Sequence, residues 1–365
     1  MKKYVGMIVA AFLLASCVSH EGMVQEVKGY DAKAQKNGTE VQFSHVSFAP
    51  VQDKKYALVR FPEKVVVAGD NVFVKVNKQL LRFSKSGQFR NQIGRSGHGR
   101  GEYVNLAAFY LESDKTVVLV DSYKGSLMRY GLDGTYKNEI KIGEPLQQVH
   151  DAYLLGNDVL FLNNYIGGNN RDVYAILNLK TKEMTEVAKT NLSTKNTMTP
   201  VGRNCFSVYQ GHIKYVMPFD DRVYDLEGEH YQYLTSRTIF SESDQEKVKN
   251  FSVGTYKIDD KNFAGFTDIF ETDNYLLTAF SNWEYTLLDK RTNTCRRFSY
   301  KLPENMKSMP LVRIVATEGN RWVGMVNTDD LKQVKTYNHK DKNLEKLMSY
   351  RTKKDSYVLV FYDME

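Results

Sequence analysis

Two stretches, "LLRFSKSGQF" (Leu80–Phe89) and "LMRYGLDGTY" (Leu127–Tyr136), align without a gap at an offset of 47 positions. Each reads as an apolar pair, an arginine and an aromatic residue, followed by a turn and a second aromatic residue. Related text recurs around Leu177 in "VYAILNLKTKEM" and Tyr224 in "RVYDLEGEHY", and again in "YTLLDKRTNTCRRF", which arrives late after an insertion. In every copy a short strand runs into a turn rich in Gly, Asp, Lys or Thr and starts a second strand.

A second marker gives the number of copies. Turn tripeptides precede an apolar strand at Gly69-Asp70-Asn71, Ser113-Asp114-Lys115, Gly156-Asn157-Asp158, Gln210-Gly211-His212, Thr272-Asp273-Asn274 and Glu318-Gly319-Asn320. The text that follows, such as "VVLVD" or "YLLTAF", is β-branched or aromatic, as half-buried strands require. A period of about 40 to 50 residues with roughly four short strands predicts propeller blades. The expectation is an all-β, six-bladed β-propeller with about four antiparallel strands per blade. A single blade cannot bury both faces of its sheet, whereas a closed ring can. The chain stops soon after "DSYVLVFYDME", so the last blade lacks a strand, and the strand-like "VQFSHVSF" (Val41–Phe48) is expected to complete it. A sandwich or two tandem barrels would not explain the recurring offset. Helical turns are expected only in the insertions "SESDQEKVKN", where Ser243 and Glu246 have capping-box spacing, and "KDKNLEKLMSY".

The N-terminus reads differently. Lys2 and Lys3 precede a twelve-residue apolar run, Tyr4–Ala15, too short for a bilayer, which needs about 20 residues. "Leu14-Ala15-Ser16-Cys17" has the form of a lipobox, predicting a signal peptide at 1–16 and acylation of Cys17. Residues 17–40 carry little hydrophobic pattern and read as the lipidated cysteine and a solvated tether, with the propeller at 41–365. The anchor would then be acyl chains on a membrane, without a spanning helix.

The formal charge is +7, or +5 without the signal segment and its two lysines. Acids and bases are interspersed, with no arginine-rich arm, so nucleic acid is disfavoured. Cys205 and Cys295 form neither a disulfide framework nor a zinc site; buried thiols fit better, although their pairing stays open.

The densest polar text is "GRSGHGRGEY" (Gly94–Tyr103). A phosphate loop would need a long helix after the glycines, but "YVNLAAFYLE" continues as strand. The run instead falls where the chain crosses from the outer edge of the first blade to the inner strand of the second, a place that calls for tight turns. Arg95, His98, Arg100 and Glu102 could bind an anionic or hydroxylated ligand. The structural alternative, favoured here, is that Glu102 accepts hydrogen bonds from loop amides.

This stretch also carries a resemblance. "FSKSGQFRNQIGRSGHGRGEYVNLAAF", with Ile93-Gly94, Gly97, Gly99, Gly101, Glu102 and Tyr103, resembles six-bladed β-propeller lipoproteins of gut-dwelling Gram-negative bacteria, which are similar to NHL-type propellers. Arg100 stands where those proteins usually have proline. The likeness continues through "MPFDDRVYDLEGEHYQY", "IFETDNYLLTAF" and "DSYVLVFYDM". It implies the fold and an exported, lipid-anchored address, and brings no catalytic residues.

Among the remaining candidates, His150 sits beside Asp151 at a predicted inner strand and His212 lies in a turn of the fourth blade. A propeller lyase or hydrolase would need such groups to converge on the axis. The seven histidines show no paired metal-ligand spacing, no G-x-S-x-G or H-E-x-x-H motif occurs, and no cofactor motif is present. Asp220-Asp221, Asp259-Asp260 and Asp329-Asp330 read as turn residues, and Trp283 and Trp322 as packing between blades. The expected function is therefore a non-enzymatic binding or scaffolding module for a glycan, peptide or protein partner, in a cell-envelope nutrient-uptake setting, with a monomeric body. An exported propeller lyase or hydrolase is the alternative.

Overall fold

The computed structural model of the chain describes residues 24–27, 43–143, 146, 149–163, 172–189, 204–217, 222–226, 230–233, 266–280, 284–299, 305–306, 312–352 and 357–364. Six antiparallel sheets of four strands form the blades of a β-propeller. The first five are meanders in chain order, covering residues 64–93, 106–141, 149–189, 206–233 and 266–299. The first strand of each lies at the axis and the fourth at the rim. The turn tripeptides fall at the hairpins between first and second strands in all six sheets. The positive φ at Gly69, Gly156, Gln210, Gly211 and Gly319 shows why glycine is frequent there.

The sixth blade joins the two ends of the propeller. Its order from rim to axis is Phe43–Pro50, Tyr357–Met364, Arg321–Asn327, Ile314–Thr317. Phe43–Pro50 pairs antiparallel with Tyr357–Met364, from Phe43 opposite Met364 to Pro50 opposite Val358. Val46, Phe48 and Ala49 are buried in the pairing. The N-terminal strand therefore closes the ring, as the sequence pattern predicts.

Two features differ from the sequence reading. Val24–Val27, in the segment read as a tether, adds a fifth strand to the fourth blade, parallel to the rim strand His230–Tyr233. Rim strands present unpaired backbone groups, and any short extended segment can pair with them. A second helix, Thr328–Gln333, was not anticipated. Asn327 caps it by accepting the Asp329 N–H at 2.8 Å, and the acids Asp329 and Asp330 occupy its first turn rather than a plain turn. The expected helix is present at Lys342–Ser349, capped by Asp341, and it sends Leu344, Leu347 and Met348 into the core shared with Val46, Phe48 and Trp322. The insertion around Ser243 lies outside the described residues, as do the signal segment, Cys17, Trp283, Asp220-Asp221 and Asp259-Asp260.

Large rings fill the wedges between blades. Trp322 is fully buried against Phe43 and Tyr275. The many tyrosines also satisfy backbone groups across blade boundaries. The Tyr174 phenol, in the third blade, lies 3.0 Å from the Cys205 carbonyl and 2.9 Å from that of Val216. The Tyr285 phenol of the fifth blade accepts the Ile314 N–H of the sixth at 2.9 Å. Burial pushes the Tyr174 phenol far above its ordinary pKa, so it stays protonated. Cys205 and Cys295 are both buried, and the Cys205 thiol lies 3.4 Å from the Thr267 carbonyl.

Candidate functional site: the axial channel and the crossing loop

The six inner strands enclose a channel of about 430 Å³ along the axis. Each blade supplies an apolar wall residue: Val66, Leu111, Leu154, Val208, Phe270 and Ala316. The polar residues of the lining are Lys64, Tyr110, Tyr153, Asn204, Ser207 and Thr317. The alternation of inner-strand side chains between sheet faces produces this lining.

Lys64, at the start of the first inner strand, reaches Asp151 at the start of the third. The two are 87 residues apart in sequence. Asp151 is 2% exposed, and its other oxygen accepts the Ala152 N–H at 2.8 Å. The Lys64 ammonium also lies 4.6 Å from the centre of the Phe206 ring of the fourth blade. One cation thus joins three blades at the end of the channel where the crossing loops arrive. A register shift between Val149 and Asp151 accompanies this geometry: the bulge sets His150 apart from Asp151, which meets Lys64. The fifth blade repeats the device, with a shift between Phe266 and Asp268. Asp268 there accepts both the backbone N–H (2.9 Å) and side-chain amide (3.2 Å) of Asn204.

His150 is half-buried beside this pair. Burial holds its pKa below the ordinary histidine value, reinforced by Lys75 and Lys64 and opposed by Asp151, so the ring is neutral near pH 7. His212 is exposed and begins the second strand of the fourth blade. That places it at the hairpin end of the blades, opposite the end that holds His150. The two histidines are not brought together. Among the described residues, no group of three or more His, Cys, Asp or Glu side chains could hold a metal ion.

The crossing loop is built inward. Glu102 accepts the Gly99 N–H at 2.8 Å and pairs with Arg95 at 2.6 Å. A Cβ at Gly97 would lie 2.1 Å from the Glu102 carboxylate. Gly101, at φ +72°, would drive one into the Tyr136 ring at 2.7 Å. His98 and Arg100 are exposed, and none of the four loop candidates lines the channel. The Gly99 amide, followed by Arg95, holds the Glu102 carboxyl below its ordinary pKa. A depressed folded pKa means a contribution present at neutral pH and lost as pH falls through the folded value. The Gly99 amide resonance is therefore expected to shift with a midpoint below the usual glutamate range, and Glu102→Gln to remove that transition while leaving the propeller folded. A midpoint at or above the ordinary value contradicts the assignment.

The sequence reading overlooked Asp121. This fully buried carboxylate ends the second strand of the second blade. It accepts the N–H groups of Val104 (2.7 Å), Asn105 (3.2 Å), Tyr123 (3.1 Å) and Lys124 (3.0 Å). The acid at the end of "VVLVD" was the available signal, since an aspartate closing an apolar strand has few reasons to be buried except to hold turns.

A closed ring of six four-stranded antiparallel sheets around a lined channel defines a six-bladed β-propeller. Residues 27–363 match the family described as a domain of unknown function, DUF4934, and the chain belongs to it. No curated protein sequence matches the chain. Among solved structures, it is similar to a protein of Bacteroides fragilis NCTC 9343 described as exported. That match has 17% identity and a TM-score of 0.71, and covers 94% of this chain and 100% of the other. It is also similar to a member of the duf4221 family from Bacteroides vulgatus ATCC 8482, with 10% identity, a TM-score of 0.54, and coverage of 89% and 98%. At these identities the likeness speaks to the fold. No helix among the described residues is long and apolar enough to cross a membrane.

Proposed function

We propose that the chain is an exported, lipid-anchored binding module, held to the outer membrane through Cys17, whose axial channel takes up a ligand without transforming it. The observation that carries the reading is the channel wall: every blade contributes apolar side chains, and the one charged group among the lining residues, Lys64, is already paired. Such a lining orients and desolvates a small ligand, while proton transfer or metal chemistry needs several titratable groups around one point. The Lys64–Asp151 pair suits this role as a fixed dipole at one mouth, because each charge is already matched. The exported address draws on the lipobox reading and on the description of the Bacteroides fragilis protein. A Cys17→Ser chain is expected to leave the membrane fraction.

The test is a thermal-shift screen of the full Cys17→Ser chain against neutral oligosaccharides and short peptides. A true ligand at about 100 times its Kd stabilises by about 2.7 kcal/mol. Thr317→Trp, which fills the channel from the sixth blade, should abolish the shift. Chemical conversion of a stabilising ligand would favour the enzyme reading instead.

A further inference from the structure

We propose a second binding surface on the loops of the first two blades, which takes an acidic polysaccharide: pyranose rings carrying carboxylate or sulfate groups. The inference rests on the reading of the chain as a binding module, but a different part of the molecule carries it.

Among the described residues, the large apolar side chains that stand exposed are Tyr56 (68%), Leu58 (37%), Phe61 (76%) and Tyr123 (78%). They are not scattered. Tyr56, Leu58 and Phe61 belong to the crossing from the sixth blade into the first. Tyr123 is in the hairpin that follows Asp121. Hydrogen bonds make these loops one continuous surface. Gln79 donates to the Tyr56 carbonyl at 3.2 Å, which joins the crossing to the hairpin of the first blade. Tyr103 donates to the Lys78 carbonyl at 2.5 Å, which joins that hairpin to the glycine-rich crossing. Lys124 then donates to the Glu102 carbonyl, which joins the crossing to the Tyr123 hairpin.

Tyr56 and Phe61 each have an exposed cation beside them in the chain, Lys55 and Arg60, while Lys124, beside Tyr123, is half-buried and holds the Glu102 carbonyl. The acids of the same loops are held or matched: Asp53 accepts the Val59 N–H at 3.0 Å, Glu102 and Asp121 hold loop amides, and Glu63, 36% exposed, is paired with Lys75. The face shown to solvent is therefore aromatic and positive. Phe61 adds a further observation. It holds φ at +53° and precedes Pro62, a combination that sterics disfavour twice for a bulky residue. Its ring is nonetheless displayed rather than buried, and strain kept at an exposed position points to recognition.

The ring-plus-cation unit selects the ligand. A pyranose ring presents a flat C–H face that packs on an aromatic side chain, and its carboxylate or sulfate then meets the adjacent Lys or Arg. A protein partner would favour one merged apolar core, whereas here separate rings stand along one surface, with the exposed cations Lys55 and Arg60 set between them. Repetition of the unit suits a polymer with a repeating charged sugar.

The experiment is affinity electrophoresis of the full Cys17→Ser chain through gels containing polygalacturonate, chondroitin sulfate, dextran or poly-glutamate. Retardation by polygalacturonate or chondroitin sulfate is expected, the two gels separating carboxylate from sulfate recognition, while dextran gives none. The triple substitution Tyr56→Ala, Phe61→Ala, Tyr123→Ala and the double substitution Lys55→Ala, Arg60→Ala should each weaken retention by about tenfold or more. All five side chains are exposed, so the variants are expected to melt with the parent. The inference is overturned by no retardation in either acidic polysaccharide, by retention that survives the aromatic substitutions, or by equal retardation in poly-glutamate. Thr317→Trp should leave retention intact. If it abolishes retention, the channel holds the polymer, and this surface is ruled out while the binding reading stands.

Discussion

A chain beginning after residue 50 is expected to lose its fold, whereas one beginning at residue 43 keeps it. The longer truncation removes the strand Phe43–Pro50, which pairs along the full length of Tyr357–Met364. Val46 and Phe48 lose their burial, at about 1.5–3 kcal/mol for each large apolar side chain. The ladder bonds contribute about 0.5–1.5 kcal/mol apiece. Together these terms are on the order of 10 kcal/mol, comparable to the whole stability of a domain, about 5–15 kcal/mol. The defect also spreads. The strand YVLVFYDM would become an open, apolar rim, the kind of edge that templates aggregation, and the Lys342–Ser349 helix would lose Phe48 from its core. Far-UV circular dichroism and the soluble fraction on expression report the result. A soluble, cooperatively melting chain lacking residues 1–50 would show that the ring does not depend on its N-terminal strand.

The second large effect belongs to Asp121. Asp121→Ala is expected to cost about 2–4 kcal/mol, because an amide shut off from water and left without an acceptor costs about 1–3 kcal/mol and the four amides here are part-buried, so water can reach some of them. Asp121→Asn is the sharper test. It keeps the shape and one acceptor but points an N–H₂ group at amides that are themselves donors, so it should still lose about 2 kcal/mol. Guanidinium unfolding measures both, read as a fall in midpoint at constant slope. A loss below about 1 kcal/mol for both variants would mean that the four contacts are incidental. Asp121 also orders the hairpin that displays Tyr123, so any Asp121→Asn protein that remains folded should bind acidic polysaccharide more weakly.

The architecture was legible in the sequence because it repeats. The six turn tripeptides mark six hairpins, since a first-to-second-strand turn demands the same backbone in every blade. The missing strand at the C-terminus and the spare one at Val41 pointed to each other by simple count. The glycine run was assigned to a crossing because strand text lies on both sides of it, and Glu102 fills the space that Gly97 and Gly99 leave open.

What the sequence hid is what the ring brings together. Lys64 and Asp151 meet only because three blades converge on the axis, and no local spacing encodes a contact that depends on the angle between sheets. The same holds for Tyr174, whose phenol serves the next blade. The bulge before Asp151 could not be read either, because a one-residue register shift leaves the hydrophobic pattern nearly unchanged while reversing which face a carboxylate occupies. Val24–Val27 was invisible for a different reason: its four residues, Val-Gln-Glu-Val, carry no alternating pattern.

The pairing of Ser44 with Met364, 320 positions apart, sets a timetable for biogenesis. The first five blades can stack in chain order, but the last cannot be finished until the strand Tyr357–Met364 is available to pair with Phe43–Pro50. Until then the leading strand has no mate and the nascent arc stays open, so quality control has a long interval in which to act. Premature termination anywhere downstream of the fifth blade should therefore yield a degraded fragment rather than a smaller stable ring.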